Sequence, residues 1–160
     1  KYQDLNRDFI FLYNAFNVRN TEIGGLLGTA QLSRLNSDII KRTKNFKLFL
    51  SLLDKKKFFT NFKVEGSSNY AFNLILLKKD DNLIKRLINK FKAEGVEFRR
   101  GSAGGGNQLR QPYLENVLPK KHFLKFPITD HVHFYGFYLG NYPSLKVSMI
   151  KDLCNIINSA

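Results

Sequence analysis

The chain has 160 residues, 43% of them hydrophobic, and a formal charge of +13. That is enough apolar material for one domain with a core and excludes an intrinsically disordered chain. No apolar run reaches the roughly 18 residues a membrane-spanning helix needs, and the polar opening Lys1-Tyr2-Gln3-Asp4 is not a signal peptide. No membrane association is expected. The chain does not begin with Met, and Met149 is its only methionine, so further sequence is expected upstream of Lys1. The single cysteine, Cys154, cannot close an internal disulfide, which fits a reducing cytoplasm. It reads as a small residue on a terminal helix rather than a catalytic thiol. The positive charge attracts polyanions of any kind: nucleic acid, anionic lipid or phosphorylated small molecules. Much of it is Lys scattered among Asn and Ile, which reads first as generic surface charge.

In chain order, residues 1–19 read as an irregular or partly extended lead-in, with Phe9, Phe11, Tyr13 and Phe16 as its apolar residues. Asn20 is the expected N-cap of a helix, with Glu22 in its first turn. Ile23, Leu26, Leu27 and Ala30 fall at helical spacing, Leu35 and Ile39 continue it, and Phe46, Leu50 and Leu53 extend the face. The pattern predicts one long helix, ending before Lys55-Lys56-Lys57 and long enough to bridge two domains. Gly24, Gly25 and Gly28 in its first turns each cost about 1 kcal/mol relative to Ala and predict tight packing against a neighbour. A strand is predicted over Tyr70–Leu77 and a helix over Asp81–Ala93, stopped by Gly95. A short strand follows at Val96–Phe98, then a flexible loop over Gly101–Gly106. An aromatic strand is predicted over Val132–Leu139 and a last helix over Ser144–Ile157. The β-α-β succession suggests an open sheet with a helix on one side.

Candidate chemistry is sparse. Gly101-Ser102-Ala103-Gly104-Gly105-Gly106 lets backbone N–H groups approach an anion, and Arg110 adds a bidentate donor. Neither a P-loop nor a dinucleotide fingerprint is completed. His131 and His133, on one face of the predicted strand, lack the further ligands a zinc site wants; no metal is expected. Gly25-Leu26-Leu27-Gly28 has the spacing of a nucleic-acid-clamping loop, but its apolar centre argues against that use. Nucleic-acid binding rests on charge alone, and no nucleophile-base-acid arrangement is supported.

Three segments together resemble one family. Phe16-Asn17-Val18-Arg19-Asn20-Thr21-Glu22-Ile23-Gly24-Gly25-Leu26-Leu27-Gly28, continued by Gln31-Leu32-Ser33-Arg34-Leu35, is similar to the start of the C-terminal portion of sugar aminotransferases and dehydratases of the DegT/DnrJ/StrS type. Lys41-Arg42-Thr43-Lys44-Asn45-Phe46 resembles its usual basic continuation. Gly104-Gly105-Gly106-Asn107-Gln108-Leu109-Arg110-Gln111-Pro112-Tyr113 and Gly136-Phe137-Tyr138-Leu139-Gly140-Asn141-Tyr142-Pro143 resemble the deoxysugar 3-dehydratase branch.

The resemblance implies an α+β fold: the small C-terminal domain of an aspartate-aminotransferase-like enzyme, an open sheet with helices on one side, preceded by a long bridging helix. Residues 1–54 would end the large domain and form the bridge; residues 55–160 would be the small domain. The whole enzyme would bind pyridoxal or pyridoxamine phosphate, act on a nucleoside-diphosphate keto-sugar and form a homodimer. It would serve deoxysugar synthesis for polysaccharides such as lipopolysaccharide O-antigen. The 160 residues alone would hold no cofactor, no catalytic residue and no turnover. Asn17 would reach the phosphate of the partner's cofactor, Arg19 would support that site or the sugar nucleotide, and Asn107, Arg110 and Gln111 would line the substrate side of the cleft. Leu109-Arg110-Gln111-Pro112 replaces the His-Tyr-Pro-like stretch of the aminotransferases, which favours dehydration. In that branch a His stands in place of the Schiff-base Lys. Sugar-nucleotide transamination and, outside the family, a small basic nucleic-acid-binding module are the alternatives.

Overall fold

The structure, a computed structural model, describes residues 3–13, 21–104 and 106–160. The apolar spacing read as one long helix forms two, α1 (Glu22–Leu32) and α2 (Leu35–Leu52). Ser33 and Arg34 tighten the chain between them. The Arg34 N–H reaches the Gln31 carbonyl at 3.2 Å, a bond of 3-10 pitch, and the Ser33 hydroxyl donates to the Ala30 carbonyl at 3.2 Å. Such local bonds compete with the helical ladder and end it. Thr21, not Asn20, caps α1 by accepting from the Gly24 N–H at 3.3 Å; Asn20 lies outside the described residues. No residue of α1 is buried, and a Cβ on Gly25 or Gly28 would meet nothing within 4 Å. The packing expected around those glycines is therefore not made among the described residues.

Alternation sets the sheet. In β1 (Ala71–Ile75) Phe72 and Leu74 are fully buried while Asn73 is exposed, the period of a strand with one covered face. The sheet has three strands in the order β1-β3-β2, with β2 at Phe98–Arg99 and β3 at Gly136–Gly140. Both outer strands run antiparallel to β3, and the register places Phe72 opposite Leu139 and Leu74 opposite Phe137. Those four side chains form one face of the core.

Helices α2, α3 (Asp81–Ala93) and α5 (Val147–Asn158) cover that face with Phe46, Phe49, Leu87, Phe91, Ile150 and Ile157. Phe49 stacks on Phe72 with ring centroids 4.5 Å apart, and Phe91 meets Phe137 edge-on at 5.4 Å. The predicted bounds of α3 are those observed. Asp80 accepts from the Leu83 N–H at 2.8 Å to start the helix, and Gly95 turns the chain away at φ +65.

Two asparagine systems tie the layers. Asn141, after β3, donates to the carbonyls of Asn69 at 2.6 Å and Arg42 at 2.9 Å, and accepts from Asn45 at 3.2 Å. At the other end Asn158 of α5 donates to the Leu52 carbonyl at 2.8 Å and accepts from the Asp54 N–H at 2.9 Å. It thereby satisfies backbone groups at the end of α2.

The aromatic strand expected over Val132–Leu139 is only half a strand. Pro127 opens a helix, α4 (Pro127–Tyr135), and β3 begins at once with Gly136. A Cβ at Gly136 would lie 2.5 Å from the Val132 carbonyl oxygen, so only glycine permits so abrupt a change from helix to strand. The β-branched and aromatic residues that favour a strand are overridden by Pro at the first helical position, where its ring pre-sets the backbone. Gly101, Gly106 and Val132 share a crevice of about 40 Å³ with Asn73 and Tyr138, on the sheet face opposite α2, α3 and α5.

Candidate functional site

The lead-in, the glycine-rich segment and α4 meet in one polar cluster. Gln111 is 1% exposed and clasps the lead-in: its Oε1 accepts from the Phe11 N–H at 3.0 Å and its Nε2 donates to the Phe9 carbonyl at 3.0 Å. Tyr113 adds a backbone bond to the Phe11 carbonyl at 3.2 Å, and Ser102 accepts from the Asn6 N–H at 3.3 Å. The segment read as a flexible loop is thus fastened at its described residues, in 3-10 turns at Gly101–Gly104, Gln108–Arg110 and Pro112–Leu114.

Arg110 is the centre of charge. Its guanidinium grips Asp130 of α4 in fork geometry, Nε to Oδ1 at 2.5 Å and a terminal nitrogen to Oδ2 at 2.8 Å, while the other terminal nitrogen bonds Asp4 of the lead-in. The flat cation lies over the rings of Phe123 at 4.0 Å and Phe134 at 4.7 Å. The hydrogen bonds from Arg110 hold the Asp130 carboxyl below the usual carboxylate range, and the same bonds raise the guanidinium.

Asn107 is as deeply buried as Gln111. Its N–H donates to His133 Nδ1 at 3.0 Å, its Nδ2 to Asp130 Oδ1 at 3.3 Å, and its Oδ1 accepts from the Leu109 N–H at 3.1 Å. Asn107, Arg110 and Gln111 are therefore brought together, but around protein partners. Asn17 and Arg19 lie outside the described residues.

The two histidines do not share a face. On a helix, positions 131 and 133 point apart. His131 Nε2 faces the Leu76 carbonyl at 2.6 Å, and His133 lies 2% exposed against the glycine-rich segment. Among the described residues no group of three or more His, Cys, Asp or Glu is placed to hold a metal. Arg100, half of the basic Arg99-Arg100 pair, donates to the Phe134 carbonyl and lies over the Phe137 ring at 5.4 Å; burial pushes its pKa down. Asp4 and Asp130 were not legible as site residues, and His133 only as a metal-ligand candidate. A helical period over 127–135 would have put Asp130 and His133, three apart, on one side.

Two clefts adjoin these elements. One of about 250 Å³ opens beside the Arg110 cluster, lined by Asp130, Phe123 and Phe134 with Lys79, His131 and Tyr135. A larger one of about 680 Å³ runs between β2, β3 and α5, lined by Phe98, Tyr138, Met149 and Leu153 with Glu97 and Asp152 at its edge. None of Asn107, Arg110 and Gln111 lines either cleft.

Comparison with known proteins bears on what such an arrangement belongs to. The chain is 29% identical to a GDP-4-keto-6-deoxy-D-mannose 3-dehydratase of Yersinia pseudotuberculosis, over 93% of this chain and 38% of that protein. It is 30% identical to the enzyme of the same name from Escherichia coli O55:H7, over 57% of this chain and 24% of that protein. Its fold matches the E. coli GDP-4-keto-6-deoxy-D-mannose 3-dehydratase solved with hydrated PLP, at a TM-score of 0.67 and 23% identity over 98% of this chain and 40% of that one. An aminotransferase from Psychrobacter cryohalolentis matches at a TM-score of 0.66 and 22% identity, over 88% of this chain and 38% of its own. The chain thus spans less than half of the length of each of these relatives, and its fold is that of part of an aminotransferase-like enzyme. Residues 3–158 match the model of the DegT/DnrJ/EryC1/StrS aminotransferase family, and the chain belongs to that family.

Proposed function

We propose that these residues are the C-terminal part of a nucleotide-sugar 3-dehydratase that acts on a nucleoside-diphosphate-linked 4-keto-6-deoxy sugar. The supporting observation is that both curated relatives named above carry the same activity, and that the likeness to one of them runs across 93% of this chain. Residues 1–54 would close the large domain and 55–160 form the small one. The break between α1 and α2 then falls in the bridge. The enzyme would work in the cytoplasm as a homodimer.

The described residues do not themselves make a cofactor cradle. No lysine is among the buried side chains, and the buried Asn45, Asn69, Asn107, Gln111, His133 and Asn141 all bond within the fold. Pyridoxal or pyridoxamine phosphate would be held chiefly by the remainder of the enzyme, with Asn17 and Arg19 as this chain's contribution. When bound it supplies an electron sink for loss of the sugar's C3 hydroxyl. Asn107, Arg110 and Gln111 would shape the substrate side of the cleft by fixing the glycine-rich segment against α4 and the lead-in. The exposed apolar side chains of α1, Ile23, Leu26 and Leu27, would be covered by the same remainder of the enzyme.

The test is turnover by the longer enzyme containing these residues, supplied with GDP-4-keto-6-deoxy-D-mannose, cofactor and an amino donor. A sugar product lighter by one oxygen atom is expected. A 4-amino sugar would instead place the protein among the aminotransferases, and no reaction with this nucleotide would remove the substrate assignment. The 160 residues alone are expected to give no turnover.

A further inference from the structure

His133 is the one buried titratable ring among the described residues, and the geometry fixes which proton it carries. Its Nδ1 receives the Asn107 N–H at 3.0 Å, so that nitrogen must be bare. Its Nε2 faces the Asp4 carbonyl oxygen at 3.3 Å, an acceptor only, so that nitrogen carries the hydrogen. The ring has no room to turn. A Cβ at Gly106 would lie 2.4 Å from Nδ1, and one at Gly101 would lie 3.6 Å from both Cε1 and Nε2. The glycine at 106 is thus required because the imidazole occupies the place of a side chain. The Gly106 N–H bonds the Gly101 carbonyl at 2.7 Å, closing the segment around the ring.

From this we infer that His133 is the positioning residue of the glycine-rich segment: as a neutral Nε2–H imidazole it joins Asn107 to the lead-in at Asp4, and its protonation unfastens Asn107 while the Nε2–H bond to the Asp4 carbonyl remains. An imidazolium carries hydrogens on both nitrogens, so Nδ1–H would point straight at the Asn107 N–H. The bond is then replaced by a repulsive contact between two donors. The charged groups facing the ring are Arg110 from the segment, Asp4 from the lead-in and Asp130 one turn earlier on α4. The two carboxylates are both engaged by Arg110 and so offer the imidazolium little relief. Burial dominates and lowers the His133 pKa. A histidine whose folded pKa is depressed leaves the closed arrangement at full strength above the ordinary value of about 6.5, and weakens it as pH falls below that.

The consequence for turnover rests on the proposed substrate-facing role of the segment; the latch itself does not. It is tested first on the 160-residue chain. Nitrogen NMR of the imidazole at neutral pH is expected to show a bare Nδ1 and a protonated Nε2. The protection factor of the Asn107 amide against hydrogen exchange is expected to fall on going to about pH 5, by up to about 30-fold, the protonated-to-neutral ratio of an ordinary histidine at that pH. His133→Gln, which offers an amide donor and acceptor but does not titrate, should abolish the pH dependence. Gly106→Ala, which displaces the ring, should give Asn107 low protection at both pH values while Cys154 remains shielded. A protonated Nδ1 at neutral pH, or Asn107 protection that ignores pH, or pH dependence that survives in His133→Gln, would overturn the proposal. In the longer enzyme, KM should rise in acid with kcat little changed, and His133→Gln should suppress the rise. A working latch in the chain with a flat KM would sink the substrate-facing role and leave the latch standing.

Discussion

Replacing Arg110 by Met keeps a long side chain between Phe123 and Phe134 and removes the charge. Among the described residues, Asp130 then keeps only the Asn107 amide, at 3.3 Å, as a hydrogen-bond donor. The Arg110 and Asp130 side chains are 11% and 23% exposed, so the pair lies between two limits. Exposed pairs contribute about 0–1 kcal/mol, and breaking a fully buried one costs about 3–5 kcal/mol. The aromatic contacts of the cation add on the order of 0.5–1 kcal/mol. The expected loss is about 2–3 kcal/mol, or roughly 5–10 °C in Tm for a domain of this size. Asp130→Asn, which still offers Arg110 an acceptor, should cost less. Urea unfolding of the wild type, both single variants and the double variant gives the coupling, expected at about 1–2 kcal/mol. Additivity within about 0.5 kcal/mol would refute the reasoning, because it would mean that solvent already screens the pair. The pH dependence carries its own sign. The Asp130 pKa is lowered by Arg110, so the pair's contribution is complete above the ordinary aspartate value of about 3.9 and is lost only as pH falls through the lower folded value. The gap between wild type and Arg110→Met should therefore narrow in acid to what the aromatic contacts of the cation contribute.

Other expectations follow from single contacts. Gly136→Ala forces a Cβ to 2.5 Å from the Val132 carbonyl, whereas Gly140→Ala meets open space; thermal melts should show a loss of about 1–3 kcal/mol for the first and near neutrality for the second. Cys154 is 1% exposed and burial pushes its thiol up to about 12. Its reaction with a disulfide reagent in native buffer should run at the rate of unfolding; labelling as fast as a free thiol would mean that α5 is not docked as described.

What could be read from residues alone differed from element to element, for physical reasons. The helix α3 carries every local signal at once: an Asp cap, apolar residues four apart and a glycine stop, all agreeing with its buried face. The strand β1 was legible because one face is covered, so its alternation survives in the sequence. The helix α4 was misread because Val132, Phe134 and Tyr135 favour a strand in isolation. The decisive information was Pro127 at the start and a glycine whose need appears only when the Val132 carbonyl is in place. The break at Ser33–Arg34 is written in hydrogen bonds that leave the apolar period intact, so a periodic pattern runs through it. Asn107, Arg110 and Gln111 were singled out by resemblance, but the partners they bond to were not. Asp4 lies 106 positions from Arg110, and no local pattern records that separation.

The asparagine at the end of α5 sets an order of events during synthesis. Ile150, Cys154 and Ile157 complete the core, and Asn158 supplies the bonds that finish α2 more than 100 positions earlier. Until residue 158 has left the ribosome, the parts of α2 and α3 that α5 covers stay open. Folding of this unit then cannot finish before α5 is made, and the nascent chain passes through a stage in which the core is open on the side of α5 to chaperones or to other unfinished chains. A stalled or shortened product ending ahead of α5 would not be a slightly weakened domain. It would be a soluble-looking sequence with an aromatic interior and no lid.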